Sequence, residues 1–194
     1  DICAKHDLWL FSDEAYRPLG DPSFEWPSPA ALIYPKAMSL GVMSKAYGLA
    51  GLRIGWIASQ DQEVIKKIMR FKNYTTICNS APSEILALIA LDNQEKILSR
   101  NNQIVKENLS LLDDFMAKYS ELFAWVRPQA GCVGFVEYKK RQSVDEFCAE
   151  LLAKKNTLLL PASIYEYEAN YFRIGFGRKN MPKALSLLEE YIRG

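Results

Sequence analysis

Lys45 lies between Gly41 and Trp56, in a run that passes from a strand-like apolar segment into a loop punctuated by Gly48 and Gly51. Met43, Ala46 and Tyr47 flank it, and Arg53 follows eight residues on. An amine must be neutral to attack a carbonyl, and both desolvation and a nearby positive charge favour the neutral form. Two other segments carry groups of use to such a nucleophile. Upstream, Ser12, Asp13, Glu14, Ala15 and Tyr16 follow the apolar run Leu8–Phe11, which reads as a buried strand. Ligands of open α/β sheets bind at the carboxyl ends of strands, so a carboxylate there is well placed. Downstream, Arg173 sits in the run from Tyr171 to Phe176. A guanidinium pairs bidentately with phosphate or carboxylate oxygens.

A reactive lysine, a carboxylate at a strand end and two separated arginines suit pyridoxal phosphate (PLP) chemistry. There the amine forms a Schiff base with the cofactor aldehyde, and a carboxylate keeps the pyridine nitrogen protonated so that the ring accepts electrons. The three segments, in this order, closely resemble the class I/II aminotransferases of PLP fold type I. The resemblance implies that Lys45 is the Schiff-base lysine and Asp13 the pyridinium partner. It further implies that Tyr16 hydrogen-bonds the cofactor's 3-oxygen, that Ser44 and Arg53 hold the phosphate, and that Arg173 clamps the substrate's α-carboxylate. Spacing alone does not choose between Asp13 and Glu14; the family pattern, acid-x-x-Tyr, selects Asp13. One departure is Val42, where many relatives carry a serine or threonine that helps to hold the phosphate.

Ordinary readings stand beside these. A lysine in an apolar context is commonly a snorkelling surface residue, an aspartate after a strand can cap a turn or helix, and arginines form ion pairs on strand edges. Serine fits a strand end without any special role, and Tyr47 and Trp56 read as core. Other motifs fail. A penicillin-binding Ser-x-x-Lys signature needs serine where Val42 stands. Gly175 and Gly177 lack the third glycine of a dinucleotide fingerprint. His6, the only histidine, reads as a solvated turn residue, which argues against a Ser-His-Asp triad and a histidine-based zinc site; no metal is expected.

The composition sets outer bounds. The chain has 194 residues, a formal net charge of +1 and 49% hydrophobic residues, enough for one sizeable core or two. The charge balance carries no nucleic-acid footprint. Cys3, Cys78, Cys132 and Cys148 are scattered without metal spacing, which suits a reducing cytoplasm. No signal peptide or membrane-length apolar run is visible.

The elements that must position these residues follow from periodicity and turn chemistry. Strands are expected at 8–11, 37–43, 54–58, 124–128, 133–138, 157–160 and 171–174. Helices are expected from Asp61 to Arg70, from Ser80 onward, over 102–119 and over 182–192. Ser143 to Glu146 has the pattern of a capping box for a further helix. Residues 17–35, with Pro22, Pro27 and Pro29, read as a long irregular loop. The fold class is α/β: residues 1–98 as part of a PLP-binding large domain, 99–119 as a linking helix, and 120–194 as a small α+β domain.

Members of the family are about twice this length. Ile2–Ala4 reads as the last turn of a helix cut in mid-element, so the chain is expected to be the C-terminal half. The glycine-rich turn that grips the phosphate, the aromatic that stacks on the ring and an Asn-Pro loop would belong to the first half. The resemblance thus implies an aminotransferase acting on an amino acid and a 2-oxo acid, homodimeric at full length, with the 194 residues inactive alone. Its alternatives are another PLP reaction (β-elimination, racemisation or a cyclising synthase) and a PLP-sensing domain of a transcription regulator.

Overall fold

The computed structural model describes residues 1–20 and 23–194; Pro22 of the expected long loop lies outside them. The chain divides into two compact units, Asp1–Leu19 with Ser23–Asn101, and Asn102–Gly194 with Gly20.

The first unit opens with α1 (Ile2–Lys5) and β1 (Leu10–Asp13), followed by the short helix α2 (Ala30–Ile33) and β2 (Ala37–Val42). A 3-10 turn at Ala50–Leu52 leads to β3 (Gly55–Ser59), then to α3 (Gln62–Thr75) and α4 (Ala81–Asp92). The long helix α5 (Gln94–Lys118) begins in this unit. The sheet runs β1-β2-β3. β1 and β2 are parallel with Asp13 opposite Leu40, and β2 and β3 are antiparallel with Val42 opposite Gly55. Alternate residues of β2 are buried; of these, Ser39 accepts the Ala31 N–H of α2 at 3.0 Å. Asp61 caps α3 by accepting from the Glu63 and Val64 N–H groups, as its place before an acidic first turn suggests.

β1 differs from expectation. Leu8 and Trp9 are not in the sheet, and Leu8, Trp9 and Phe11 are exposed rather than buried. The Leu8 N–H bonds to Cys3 O and its carbonyl accepts the Tyr34 hydroxyl. These backbone groups are committed to α1 and the 30s segment, and the ladder starts at Leu10, whose N–H takes Lys36 O. The loop after β1 is also not wholly irregular, because α2 forms within it. Trp56 is 42% exposed and not core; its indole lies over Gly41, where a Cβ would collide with the ring.

The second unit continues α5 and adds β4 (Phe123–Trp125), β5 (Val133–Tyr138), α6 (Val144–Lys155), β6 (Leu160–Pro161), a 3-10 turn at Ala162–Tyr165, β7 (Tyr171–Gly175) and α7 (Met181–Arg193). Its antiparallel sheet has the order β4-β5-β7-β6. One face is core: Val136, Tyr138, Phe172 and Ile174 are buried with Phe123, Leu151 of α6 and Leu188 of α7. Phe123 meets Phe115, Phe147 and Phe172 at ring-centroid distances of 5.9, 6.1 and 5.7 Å. Burying a ring of this size contributes about 1.5–3 kcal/mol. Burial, with Asp145 as a smaller cause, pushes the Cys148 thiol up to about 12, so this cysteine is inert core.

The capping box at α6 is only half made. Ser143 Oγ accepts from Asp145 N at 3.2 Å, but Glu146 does not reach back. Asn170 instead accepts the Val144 N–H at 2.7 Å and donates to the carbonyls of Tyr138, Lys140 and Gln142. Asn170→Ala is expected to destabilise the chain by about 2–3 kcal/mol, read as a lowered urea midpoint. Among the described residues, no helix is long and apolar enough to cross a membrane.

Candidate active site

The parallel pairing of β1 with β2 brings Asp13 and the Lys45 loop to one edge of the sheet. Asp13 ends β1 opposite Leu40, and β2 ends two residues later at Val42. Ser44 and Lys45 therefore leave the sheet at the carboxyl edge that Asp13 also occupies, where α/β ligands bind. Lys45 Nζ lies 5.4 Å from the centroid of the Tyr16 ring, over its face. An aromatic face attracts a cationic amine there. The turn after β1 supplies Tyr16: Arg17 N bonds to Glu14 O, and Leu19 N to Tyr16 O.

The Lys45 loop is held at both ends and from one side. Met43 N takes Ile54 O at 3.0 Å, which prolongs the β2–β3 ladder, and Leu49 N takes Met43 O at 2.9 Å. Gly48 N closes a tight turn onto Lys45 O at 3.0 Å. Met43 and Ala46 are fully buried, while Lys45 itself is exposed. Asn101 of α5 donates to Ala46 O at 2.8 Å, fixing the residue after the lysine. Nothing local in the sequence marks Asn101, because the contact spans 55 positions.

Of the two loop glycines, only Gly48 is required by the backbone. Its φ is +70°, a region that L side chains enter at a cost of about 1–2 kcal/mol. Gly51 lacks a positive φ, and a Cβ there would meet nothing. Gly48→Val is therefore expected to lower stability by at least about 1 kcal/mol, and Gly51→Ala to leave it nearly unchanged, in thermal unfolding of the two variants.

Asp13 and Glu14 have different surroundings. One Asp13 oxygen accepts the Ala15 N–H at 3.0 Å, and the side chain makes no other hydrogen bond among the described residues. Glu14 is tied into the fold. It accepts from Ser39 Oγ at 2.6 Å and from Ala30 N at 2.9 Å, and pairs with Arg17 at 3.2 Å. Burial raises the Glu14 pKa, but the hydrogen bonds from Ser39, Ala30 and Ser12, with the Arg17 charge, outweigh it and hold the carboxyl below its usual range. A lowered folded pKa gives stability that is present above the unfolded value and lost as pH falls through the folded one. Glu14→Gln is expected to flatten that acid limb, measured as the unfolding midpoint against pH.

Ser44 is half-buried at the start of the loop. Arg53 is exposed, has φ +55°, and donates to Ala50 O within its own turn at 3.1 Å. A left-handed conformation at a residue other than glycine costs energy, and such strain gathers at ligand sites. In the second unit, Arg173 lies on β7 opposite Phe135, and its Nη1 donates to the Tyr165 hydroxyl at 3.0 Å. Tyr165 did not stand out in the sequence. Among the described residues, no group of three or more His, Cys, Asp or Glu could hold a metal ion.

The first unit thus gathers an amine, a carboxylate with an uncommitted oxygen, a phenol, a hydroxyl and a guanidinium in the segments around one sheet edge. This donor set fits the aldehyde, ring nitrogen, 3-oxygen and phosphate of PLP.

Known proteins share the sequence pattern and fold of this chain. A PLP-dependent aminotransferase of Streptococcus suis 89-1591 superposes with a TM-score of 0.88 at 30% identity, covering 99% of this chain and 50% of the other. The PLP-dependent cyclase OrfR matches with a TM-score of 0.88 at 26% identity, over 98% of this chain and 52% of the other. Capreomycidine synthase of Streptomyces vinaceus is 26% identical over 98% of this chain and 49% of its own length. The chain spans about half the length of the curated relatives it matches. The family described as aminotransferase class I and II matches residues 1–187, and with the sheet edge, the lysine loop and the shared α/β fold, the chain belongs to that PLP-dependent family.

Proposed function

We propose that the protein is a PLP-dependent aminotransferase that moves an amino group between an amino acid and a 2-oxo acid. The observation that carries this reading is the amine of Lys45 over the Tyr16 ring, at the sheet edge where Asp13 ends its strand. When bound, PLP supplies an electron sink for the substrate's α-carbon. Lys45 holds the cofactor through its amine and carries the proton to and from that carbon. Asp13 keeps the ring nitrogen protonated, and Tyr16 donates to the 3-oxygen. Ser44 and Arg53 bind phosphate oxygens, and Arg173 orients the substrate's carboxylate.

In the same reading, residues 1–98 belong to the cofactor-binding domain, 99–119 link it to 120–194, the protein works in the cytoplasm, and the full-length form is a homodimer. Apolar residues exposed on α4 (Ile85, Leu86, Leu88 and Ile89) support assembly with further protein surface. The 194 residues by themselves bind PLP weakly and do not turn over, because the phosphate-gripping turn and stacking ring are expected elsewhere. Two or three charge-assisted hydrogen bonds, at roughly 1.5–3 kcal/mol each, would be missing.

A cyclising reaction is the second reading, favoured by the similarity to a PLP-dependent cyclase. The test is amino-group transfer by the full-length protein. 2-Oxo acid formed in step with amination of a second 2-oxo acid is the expected result. A cyclised product or free ammonia without an aminated acceptor would contradict it. Turnover by the 194-residue chain that Lys45→Ala abolishes would contradict the inactivity of the chain alone.

A further inference from the structure

Arg173 shares its face of the second sheet with a group of rings. Phe135 is its direct cross-strand partner, and Tyr171, two residues before it on β7, points to the same side. Phe135 stacks on Tyr171 at 5.3 Å and 14°, with Tyr167 at 5.9 Å and Tyr165 at 6.5 Å. The opposite face carries the core residues Val136, Phe172 and Ile174. A sheet face open to solvent is ordinarily polar. Here Phe135, Tyr165 and Tyr167 are 38, 45 and 50% exposed, so an apolar shelf borders a guanidinium. Apolar walls with a few convergent polar groups are the usual make-up of a small-molecule site.

Tyr165 adds a specific chemical feature. Its oxygen accepts from Arg173 Nη1 at 3.0 Å, and a phenol that accepts still has its own proton to donate. The phenol O–H beside the guanidinium charge forms a donor pair from which one carboxylate can accept. Glu166 and Glu168, both exposed, flank Tyr167. A flat apolar group would lie on the rings.

We propose that Tyr165 is the second donor of a carboxylate site built on Arg173, and that the shelf of Phe135, Tyr167 and Tyr171 selects acids bearing a planar apolar group, as in an aromatic amino acid. This rests on the reading of Arg173 as the residue that binds the substrate carboxylate.

The test is an NMR titration of the 194-residue chain with 3-phenylpropanoate, acetate and succinate. Phenylpropanoate is expected to shift signals of Phe135, Tyr165, Tyr171 and Arg173 and to bind at least about tenfold more tightly than either other acid. Tyr165→Phe is expected to weaken it roughly tenfold, the loss of one charge-assisted hydrogen bond. Phe135→Ala is expected to erase the preference while acetate still binds. Equal affinity for acetate and phenylpropanoate at Arg173 would overturn the selection and leave Arg173 as a carboxylate residue. Unchanged binding in Tyr165→Phe would overturn the second-donor role. If no acid moved the Arg173 signals, the proposal would fall together with the role assigned to Arg173, whereas the assignment of Lys45 would stand.

Discussion

Lys45→Ala is expected to abolish amino-group transfer by the full-length protein, with a rate loss on the order of 10⁴-fold or more. On the proposed reading, the variant would remove both the covalent hold on the cofactor and the group that carries the proton. Lys45→Arg separates charge from nucleophilicity. A guanidinium keeps the positive charge over the Tyr16 ring but does not deprotonate to attack an aldehyde, so this variant is expected to be as inactive as the alanine one. Single-turnover measurement of 2-oxo acid formed from an amino acid checks both. Transfer by either variant within tenfold of the parent would assign the nucleophile to another residue. The fold should survive these changes, because Lys45 is exposed while Met43 and Ala46 beside it hold the loop in the core.

Asn108→Ala is expected to have the largest effect on stability among the polar substitutions, about 3 kcal/mol. Asn108 is 3% exposed on α5. Its amide donates to Phe176 O at 2.9 Å and to Arg178 O at 2.8 Å, just beyond the end of β7. Phe176, itself fully buried, donates its N–H to Cys132 O. Losing the amide leaves a buried carbonyl, Phe176 O, and a part-buried one, Arg178 O, short of a donor, at roughly 1–3 kcal/mol each. The strand that carries Arg173 should then open more readily. Hydrogen exchange of the Tyr171–Gly175 amides is expected to quicken about 100-fold, which corresponds to roughly 3 kcal/mol. Unchanged exchange would show that this strand does not depend on Asn108.

The α/β class and the family were legible in the sequence because the lysine loop, the acid-x-x-Tyr run and the Arg173 strand lie in short contiguous stretches. Boundaries set by long-range contacts were less legible. α5 begins at Gln94, two turns before the apolar period from Asn102 suggests. Those turns are steadied by polar contacts, Gln94 to Tyr47 and Asn101 to Ala46, which leave no hydrophobic pattern. β6 is confined to Leu160–Pro161: 157–159 stay outside the sheet, and Pro161 has no N–H to carry a ladder further on. The contrast between Asp13 and Glu14 was invisible in spacing. It comes from Ser39 and the Ala30 N–H, 25 and 16 residues away, which engage Glu14. Tyr165 was silent for a similar reason: the partner that gives it meaning lies eight residues on, across a turn.

The most direct test of the central claim is to mix the full-length protein with PLP, reduce with borohydride and locate the added mass by peptide mapping. A single adduct on Lys45, lost on competition with an amino acid, is the result predicted here. Adducts spread over surface lysines, with Lys45 no more modified than the others, would contradict the assignment of Lys45 as the cofactor-binding lysine.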